Sequence, residues 1–300
     1  MKKLITFQID SFTKEKFKGN PAGVVINADG LTDEQMLLIA RELNNRETAF
    51  LFNKKGKDFD GTIRYFTPIK EVPLCGHATI AAMYAKALYE KLNSCVLRIK
   101  TKVGILPFEI IRKNNDYEIG MTQGKVEISD TLNKIVTLQL LKAIGISLGE
   151  INANCPIQIS STGNPLIMLC INKRDRLNNL NVNLDKLKSL CLDLKCNGCF
   201  VFTFDSDKPE ILTFARMFAP IISTIEDSVT GTAHGALGAF LVKNKLIKIN
   251  DNFVEFKGMQ GEVLNRPGIV TIHIDLKNQS QIVSKIKGDA TLVFKTEIEL

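Results

Sequence analysis

Two short stretches of this chain combine a glycine with residues suited to moving protons or binding anions. They are Cys75-Gly76-His77-Ala78 and, in the other half of the chain, Thr230-Gly231-Thr232-Ala233. Small apolar residues follow each stretch, as is typical of a buried helix. The first amides of a helix have no intrahelical partner and carry partial positive charge, and glycine lets a ligand approach them closely. Gly76 and Gly231 therefore either mark two carboxylate or oxyanion sites or merely allow tight packing, and their spacing favours neither.

Titratable residues gather near these helix starts. Glu47 lies at a predicted helix-to-strand turn, where partial burial would raise its pKa and suit it to proton transfer; the local pattern alone favours an ordinary exposed glutamate. His77 and His234 each lie beside a helix start, and two histidines in matching places point beyond a purely structural role. Asp227 precedes the second helix, where it could bind a substrate amine or hydroxyl. Alternatively, it is an acidic residue that the helix dipole favours at this place. His273 falls in a predicted strand and is interpreted as structural.

Hydrophobic periodicity predicts the elements that position these residues. Thr32 and Gln35 form a capping box for an amphipathic helix ending near residue 44. Further helices are predicted over residues 80–92, 183–190 and 235–243. Strands are predicted over residues 4–10, 22–26, 48–52, 64–67, 95–111, 116–121, 157–161, 165–171, 199–204, 211–218, 253–258, 269–274 and 291–298.

The order of these features indicates an internal repeat. Gly19-Asn20-Pro21 recurs as Gly163-Asn164-Pro165, 144 residues later, and the first glycine stretch recurs in outline as the second, 155 residues later. Two matches in the same order at similar offsets favour two homologous halves. The sequence therefore predicts two α+β lobes, each a curved sheet around one central helix, with both helix N-termini able to point into a shared cleft.

Composition narrows the possible functions. The 300 residues are 45% hydrophobic, and no apolar run approaches the ~18 residues of a membrane span. Seven cysteines, an odd number without an export signal, indicate reduced cytosolic thiols. The net charge of +7 comes from scattered lysines without a basic run or an RNA-binding motif. We therefore expect a cytoplasmic protein that binds neither membranes nor nucleic acids.

Several common catalytic motifs do not occur in the sequence. It has no G-x-G-x-x-G after a strand, no P-loop, no G-x-S-x-G and no H-E-x-x-H. Cys196 and Cys199 form a single C-x-x-C without a second pair or a nearby histidine, so a zinc site there is not expected. This argues against nicotinamide dehydrogenases, P-loop enzymes, typical hydrolases and zinc proteases.

Motifs in the same order along nearly the whole chain fit one known pattern. They are Asp10-Ser11-Phe12-Thr13, Gly19-Asn20-Pro21-Ala22, Arg46-Glu47-Thr48-Ala49-Phe50, Tyr65-Phe66-Thr67-Pro68, Glu71-Val72, Leu74-Cys75-Gly76-His77-Ala78-Thr79, Glu226-Asp227-Ser228-Val229-Thr230-Gly231-Thr232-Ala233-His234, Gln260-Gly261, Arg266-Pro267 and the tail over residues 288–300. Together they resemble the phenazine-biosynthesis PhzF-like isomerase family.

The resemblance implies a diaminopimelate epimerase-like fold of the α+β class. In that fold two pseudo-symmetric lobes each have a barrel-like, mostly antiparallel β-sheet around a central α-helix, with the active site between them. We expect an N-terminal lobe of residues 1–115, joined by a C-terminal strand over 284–300, and a C-terminal lobe of residues 116–283. The family also implies a homodimer.

The resemblance further implies which residues act. The family's acid/base glutamate corresponds to Glu47, and its substrate-binding residues correspond to Asn20, Gly76, His77, Asp227, Gly231 and Thr232. We expect His77 and Asp227 to orient or protonate the ligand beside Glu47. The namesake's reaction is a cofactor-free isomerisation of dihydro-hydroxyanthranilate, so neither a cofactor nor a metal is expected.

The functional hypothesis is an isomerase in which Glu47 moves a proton between carbons of a small, anionic, carboxylate-bearing metabolite. Two residues depart from the family pattern: Ser228 replaces a common proline, and Thr232 replaces a serine, adding a methyl group that could narrow the pocket. One alternative is an amino-acid racemase or epimerase with Cys75 as one base, disfavoured because Thr230 stands where a second thiol is needed. Another is a non-catalytic metabolite-binding protein of the same fold.

Overall fold

Two compact units make up the computed structural model, which describes residues 3–53, 56–222, 224–249, 251–277 and 281–300. The first unit comprises Met1–Thr122 with Lys287–Leu300, and the second comprises Gln123–Ile286. The chain thus leaves the first unit once and returns to it with its last strand.

Strands dominate the described part of the chain, and the α-helices are few. The strands are β1 (Lys3–Ser11), β2 (Asn20–Val25), β3 (Thr48–Phe52), β4 (Gly61–Phe66), β5 (Glu71–Val72), β6 (Cys95–Thr101), β7 (Gly104–Lys113), β8 (Asp116–Thr122), β9 (Glu127–Ile128), β10 (Gln158–Ser161), β11 (Leu166–Cys170), β12 (Gly198–Thr203), β13 (Thr213–Ala219), β14 (Thr224–Asp227), β15 (Phe253–Gln260), β16 (Gly268–Lys277) and β17 (Gln281–Glu299). The helices are α1 (Asp33–Leu43), α2 (Gly76–Glu90), α3 (Lys134–Ile144), α4 (Arg174–Asn178), α5 (Leu184–Asp193) and α6 (Gly231–Lys243).

The strands of the first unit close into a ring. The pairs β1–β2, β3–β4, β6–β7 and β7–β8 are antiparallel, whereas β2–β3 and β4–β6 are parallel. The last strand, β17, pairs with both β8 and β1 and so completes an eight-strand barrel. Closure leaves these strands without open edges that could pair with another chain.

Helix α2 lies inside this ring and packs against β1, β2, β3, β7 and β8. Its residues from His77 to Ala85 are buried, and most of them are alanine or other small residues. Small side chains let the strands approach the helix from all sides, so the predicted buried helix is confirmed.

The second unit repeats the pairing order of the first around α6. β10–β11, β12–β13 and β15–β16 are antiparallel, whereas β11–β12 and β13–β15 are parallel. In each unit a short strand, β5 or β14, pairs with the strand before it and leads into the buried helix. The predicted repeat and the mixed α+β class, with a sheet around one helix in each half, are confirmed.

The boundaries of several elements differ from their predictions. The short strands predicted through residues 95–111 are β6 and β7, which form a hairpin that extends to Lys113. Both buried helices begin at their glycines, Gly76 and Gly231, four residues before the predicted starts, and α3 was not predicted. The capping box at Thr32 is confirmed: Thr32 Oγ1 accepts from the amide of Gln35, whose side chain accepts from the amide of Thr32. Among the described residues, no helix combines the length and apolar character needed to cross a bilayer.

Candidate active site

Glu47, His77 and Cys75 form one cluster in the first unit. Glu47 lies in the turn between α1 and β3, and its Oε2 is 3.3 Å from His77 Nε2. The two side chains are 13% and 7% exposed, so Glu47 is not the exposed turn residue that its local sequence favours. Cys75 Sγ lies 3.5 Å from the other ring nitrogen of His77, Nδ1. A carboxylate, an imidazole and a thiol therefore meet at the start of α2.

The two oxygens of the Glu47 carboxylate have different surroundings. Its Oε2 is buried but makes no hydrogen bond of acceptable geometry with any described residue, although His77 Nε2 is close. Its Oε1 lies 4.0 Å from Arg46 Nε. A shielded carboxylate oxygen with lone pairs still available can accept a proton from a bound ligand.

Hydroxyl groups fix the start of α2 against the barrel. Ser11 Oγ donates to the carbonyl of His77 at 2.8 Å, and Thr79 Oγ1 donates to the carbonyl of Cys75 at 2.6 Å. Because the Thr79 proton is used in this way, Tyr65 donates to Thr79 Oγ1, at 2.6 Å. Burial raises the pKa of Tyr65 and keeps that phenol protonated.

Asn20, predicted to bind substrate, is buried at the first position of β2. It pairs in register with Ser11, the residue that bonds to His77. The adjoining Gly19 has φ +60, and a Cβ there would lie 2.1 Å from the carbonyl oxygen of Ser11. The Gly-Asn-Pro turn thus requires glycine to bring Asn20 beside the strand end that supports α2.

A second cluster surrounds the start of α6 in the second unit. Asp227 is buried at the end of β14, and its Oδ2 accepts from Thr230 Oγ1 at 2.6 Å. From β15, Gln260 donates to the Asp227 carbonyl at 2.7 Å and accepts from the Thr230 amide at 3.0 Å. Gln260 is 1% exposed. The loop that carries Asp227 into Gly231 is therefore held by a buried amide that the sequence analysis did not assign to the site.

Hydrogen bonds hold the starts of α2 and α6 at equivalent positions. Thr162 Oγ1 donates to the carbonyl of Thr232 at 3.3 Å, as Ser11 does to His77. His234 Nδ1 lies 3.0 Å from the carbonyl of Thr230, the counterpart of the Thr79 bond to Cys75. His77 and Thr232 thus occupy equivalent positions, each second in its helix. His234 corresponds to a structural threonine rather than to His77.

An arginine–glutamate pair supports the approach to each buried helix. Arg64 Nε donates to Glu71 Oε1 and Arg64 Nη2 donates to Glu71 Oε2, both at 2.7 Å. Arg216 donates to the two oxygens of Glu226 in the same way, at 2.9 and 2.7 Å. Each glutamate precedes the helix glycine by five residues. The sequence carries a signal for these pairs, Arg-x-Phe-x-Pro, over residues 64–68 and again over 216–220, that the sequence analysis missed.

The two buried helices differ at their N-termini from the helices α1, α3 and α5. Thr32, Asn133 and Asn183 cap α1, α3 and α5 with side-chain hydrogen bonds. The N-cap residues of α2 and α6, Cys75 and Thr230, make no such bond. Without a side-chain cap, the amides that begin these helices at Gly76 and Gly231 can bind an anionic ligand.

His234 gives a test of the second cluster by pH. Burial lowers the pKa of His234 to about 4, so the folded protein holds a neutral ring. An unfolded chain protonates histidine below about pH 6.5 and then binds more protons than the folded chain. Stability is therefore complete above that pH, and it should fall by about 3 kcal/mol as the pH drops towards 4.

The measurement is the free energy of unfolding in urea at several pH values between 4 and 7. Carboxylates also titrate in this range. The comparison with His234→Gln therefore isolates the contribution of His234 to the pH dependence of the free energy of unfolding. The slope with pH should become smaller in His234→Gln, because that variant has no imidazole at this buried position. Equal slopes in the wild type and His234→Gln would refute the assignment of a buried neutral ring.

Comparison with known proteins identifies the family. The model of the PhzC-PhzF family, described as phenazine biosynthesis-like protein, matches residues 9–296. An uncharacterized isomerase of Clostridium acetobutylicum is 47% identical over 300 residues, covering 100% of this chain and 99% of its own length. The trans-2,3-dihydro-3-hydroxyanthranilate isomerase of Pseudomonas chlororaphis is 30% identical over 262 residues, 87% of each chain.

Solved structures agree with these sequence matches. The crystal structure of the Bacillus anthracis phenazine biosynthesis protein of the PhzF family has a TM-score of 0.89 and 31% identity, and each chain is fully covered. A hydroxyproline epimerase from Agrobacterium vitis, at 10% identity, shares the fold with a TM-score of 0.63 over 99% of this chain and 93% of its own. The chain belongs to the PhzF-like phenazine biosynthesis family and is an enzyme of the isomerase class.

Proposed function

We propose that this enzyme is a cofactor-independent isomerase in which Glu47 transfers a proton between two carbons of a small carboxylate-bearing metabolite. The observation that carries the proposal is the buried Glu47 oxygen beside His77. A carboxylate that is largely shielded from water can return the same proton to a second carbon before exchange with solvent is complete.

The other predicted residues complete the proposed mechanism. His77 and Asp227 orient or protonate the ligand. The amides at Gly76 and Gly231, with the Thr232 hydroxyl and Asn20, bind its carboxylate and stabilise the negative charge that develops on proton removal. Support comes from the uncapped starts of α2 and α6 and from the hydrogen bonds that fix Asp227.

The relatives support one substrate class for the proposal. The name of the Pseudomonas chlororaphis relative gives trans-2,3-dihydro-3-hydroxyanthranilate as its substrate. We extend to this enzyme the general class, a cyclic or aromatic amino-carboxylate, and we expect Thr232 to narrow the choice. The enzyme is further proposed to act as a homodimer in the cytoplasm.

A racemase that uses Cys75 as one of two thiol bases receives less support. Thr230 is the equivalent residue in the second unit, and its hydroxyl is bonded to Asp227 at 2.6 Å. A hydroxyl is a far weaker base than a thiolate, because alcohols ionise only well above the thiol range.

The proposal is tested by solvent exchange. Cyclic and aromatic amino-carboxylates are first screened by thermal shift, since a ligand that binds the folded state raises its stability. Those that bind, and trans-2,3-dihydro-3-hydroxyanthranilate in any case, are then incubated with the enzyme in heavy water. Deuterium should enter at carbon and the double bond should move. Ligands that bind tightly but show neither change would contradict an isomerase of this substrate class.

A further inference from the structure

Each buried helix has a side chain that bonds to the carbonyl of the helix's own N-cap residue. In α2, Thr79 Oγ1 donates to the carbonyl of Cys75 at 2.6 Å, and in α6, His234 Nδ1 lies 3.0 Å from the carbonyl of Thr230. The same two carbonyls accept the first backbone hydrogen bonds of their helices, at 3.0 and 3.2 Å. Two donors therefore hold one carbonyl at the start of each helix, where the N-cap side chain makes no capping bond.

Within the described part of the chain, the helices α1, α3 and α5 do not have this arrangement. The residue four positions after the N-cap is Met36 in α1 and Leu187 in α5, and neither side chain can donate a hydrogen bond. In α3 it is Thr137, whose hydroxyl lies 3.5 Å from the carbonyl of Leu132, the residue before the N-cap. The two halves of the repeat thus share this bond at the buried helices, although one makes it with a threonine and the other with a histidine.

The carbonyl of the N-cap residue sets the direction of the amide that follows it. The peptide bonds before Gly76 and Gly231 are trans, so in each of them the carbonyl and the N–H point in opposite directions. Holding the carbonyl of Cys75 or Thr230 towards the helix therefore aims the N–H of the next glycine away from the helix, where an anion can bind. The bond to the carbonyl also polarises the peptide group, which makes its N–H a stronger donor.

The His234 ring is held in the orientation and the tautomer that this bond requires. A carbonyl oxygen only accepts, so the single proton of the neutral ring lies on Nδ1. The ring is fully buried and meets Phe200 edge to face, with 5.1 Å between ring centroids. A Cβ on Gly258 would lie 2.6 Å from His234 Cδ2, so glycine at that position leaves room for the ring. In α2 the Tyr65 phenol holds the Thr79 hydroxyl, at 2.6 Å.

We propose that His234 and Thr79 are positioning residues that aim the amides of Gly231 and Gly76 at the carboxylate of the substrate. Each acts through the carbonyl that it holds and does not itself touch the substrate. The inference rests on the proposed function, in which these amides bind the carboxylate and stabilise the negative charge that develops on proton removal. The hydrogen bonds do not depend on that function. The bond and its effect on deuterium exchange are therefore measured separately.

NMR spectroscopy tests the bond without any ligand. In the wild type the ring proton of His234 should lie on Nδ1. A proton on Nε2 would overturn the proposal, because Nδ1 could not then donate. The variants His234→Thr and His234→Val have side chains of nearly the same shape, but only threonine can donate to the Thr230 carbonyl, as Thr79 does to Cys75. The Thr230 carbonyl and Gly231 amide signals should differ between the two variants, and identical signals would also overturn the proposal.

Deuterium exchange in heavy water tests the effect on the reaction. His234→Val should exchange at least about tenfold more slowly than His234→Thr, because a misdirected oxyanion donor gives up part of its contribution to the rate. Both variants lack the ring, so a loss caused only by the missing ring would be the same in the two. Equal exchange rates in the two folded variants would contradict a positioning role. A wild type that exchanges no ligand contradicts the proposed function instead, and the NMR comparison still decides whether His234 holds the carbonyl.

Circular dichroism establishes that each variant is folded. Should the loss of the ring unfold both His234 variants, the same comparison is made in the first unit with Thr79→Ser and Thr79→Val. Serine keeps the hydroxyl that donates to the Cys75 carbonyl, whereas valine removes it. Thr79→Val should therefore show the slower exchange and a changed Gly76 amide signal, and equal behaviour of the two folded Thr79 variants would refute the inference.

Discussion

Replacing Glu47 with glutamine should slow carbon–deuterium exchange by about 10²- to 10⁴-fold, the usual contribution of a positioned acid/base group. Glutamine has the shape of glutamate and can stay beside His77, but its amide cannot accept a proton from carbon. The variant should still fold, since the Glu47 Oε2 makes no hydrogen bond of acceptable geometry with any described residue in the wild type. The measurement is the exchange rate in heavy water at saturating substrate, with thermal unfolding as the check on folding.

Cys75→Ser is the matched control for this prediction. Cys75 lies in the same cluster, 3.5 Å from His77 Nδ1, and serine retains a small polar side chain there. If Glu47 is the base, this variant should keep most of the exchange activity. A racemase that depends on the thiol would give the reverse, with exchange lost in Cys75→Ser and retained in Glu47→Gln, and that result would remove Glu47 from the mechanism.

Local sequence predicted the buried helices but not where they begin. A helix without a polar face must be buried, so the runs of small and apolar residues after residue 80 and after residue 235 were sufficient evidence for α2 and α6. The first turn of each contains glycine with histidine or threonine, residues that are equally common in loops. Their helical conformation follows from bonds to distant strands, such as that of Ser11 to His77.

The environment of Glu47 also depends on long-range contacts. The residues around it indicate only a turn, and its burial arises because His77, thirty residues later, lies against it. The role of Gln260 also depends on a long-range contact, because it requires β15 to lie beside β13. Such contacts are set by sheet topology, and a single sequence does not specify which strands are adjacent.

Helix α3 was missed for a different reason. Its signals were present: Asn133 is an N-cap that accepts from the amide of Val136, and Gly145 ends the helix in the left-handed conformation. However, Ile135 and Leu138 are 72% and 45% exposed, so apolar residues occur on both faces and hide the helical period.

Replacing Glu226 with glutamine should lower the free energy of unfolding by about 3–5 kcal/mol, the cost of breaking a buried ion pair on one side. The Arg216 and Glu226 side chains are 9% and 7% exposed. Arg216 also donates to the carbonyl of Leu177 at 3.0 Å, so it cannot easily turn towards water when its carboxylate partner is removed. The loss would be a large part of the 5–15 kcal/mol that stabilises an ordinary domain.

Two further variants test whether the unpaired buried charge of Arg216 causes this loss. The free energy of unfolding in urea is measured for each. Glu71→Gln breaks the equivalent pair of the first unit, but Arg64 is 24% exposed and keeps Asp33 at 2.7 Å, so its loss should be smaller. The double variant Arg216→Met with Glu226→Leu removes both charges and should be more stable than Glu226→Gln, because no buried charge is left unpaired. If Glu226→Gln and Glu71→Gln cost the same, burial does not set the strength of these pairs. If the double variant is the least stable of the three, the Arg216–Glu226 pair itself stabilises the fold, and its bonds do more than offset the cost of burying two charges.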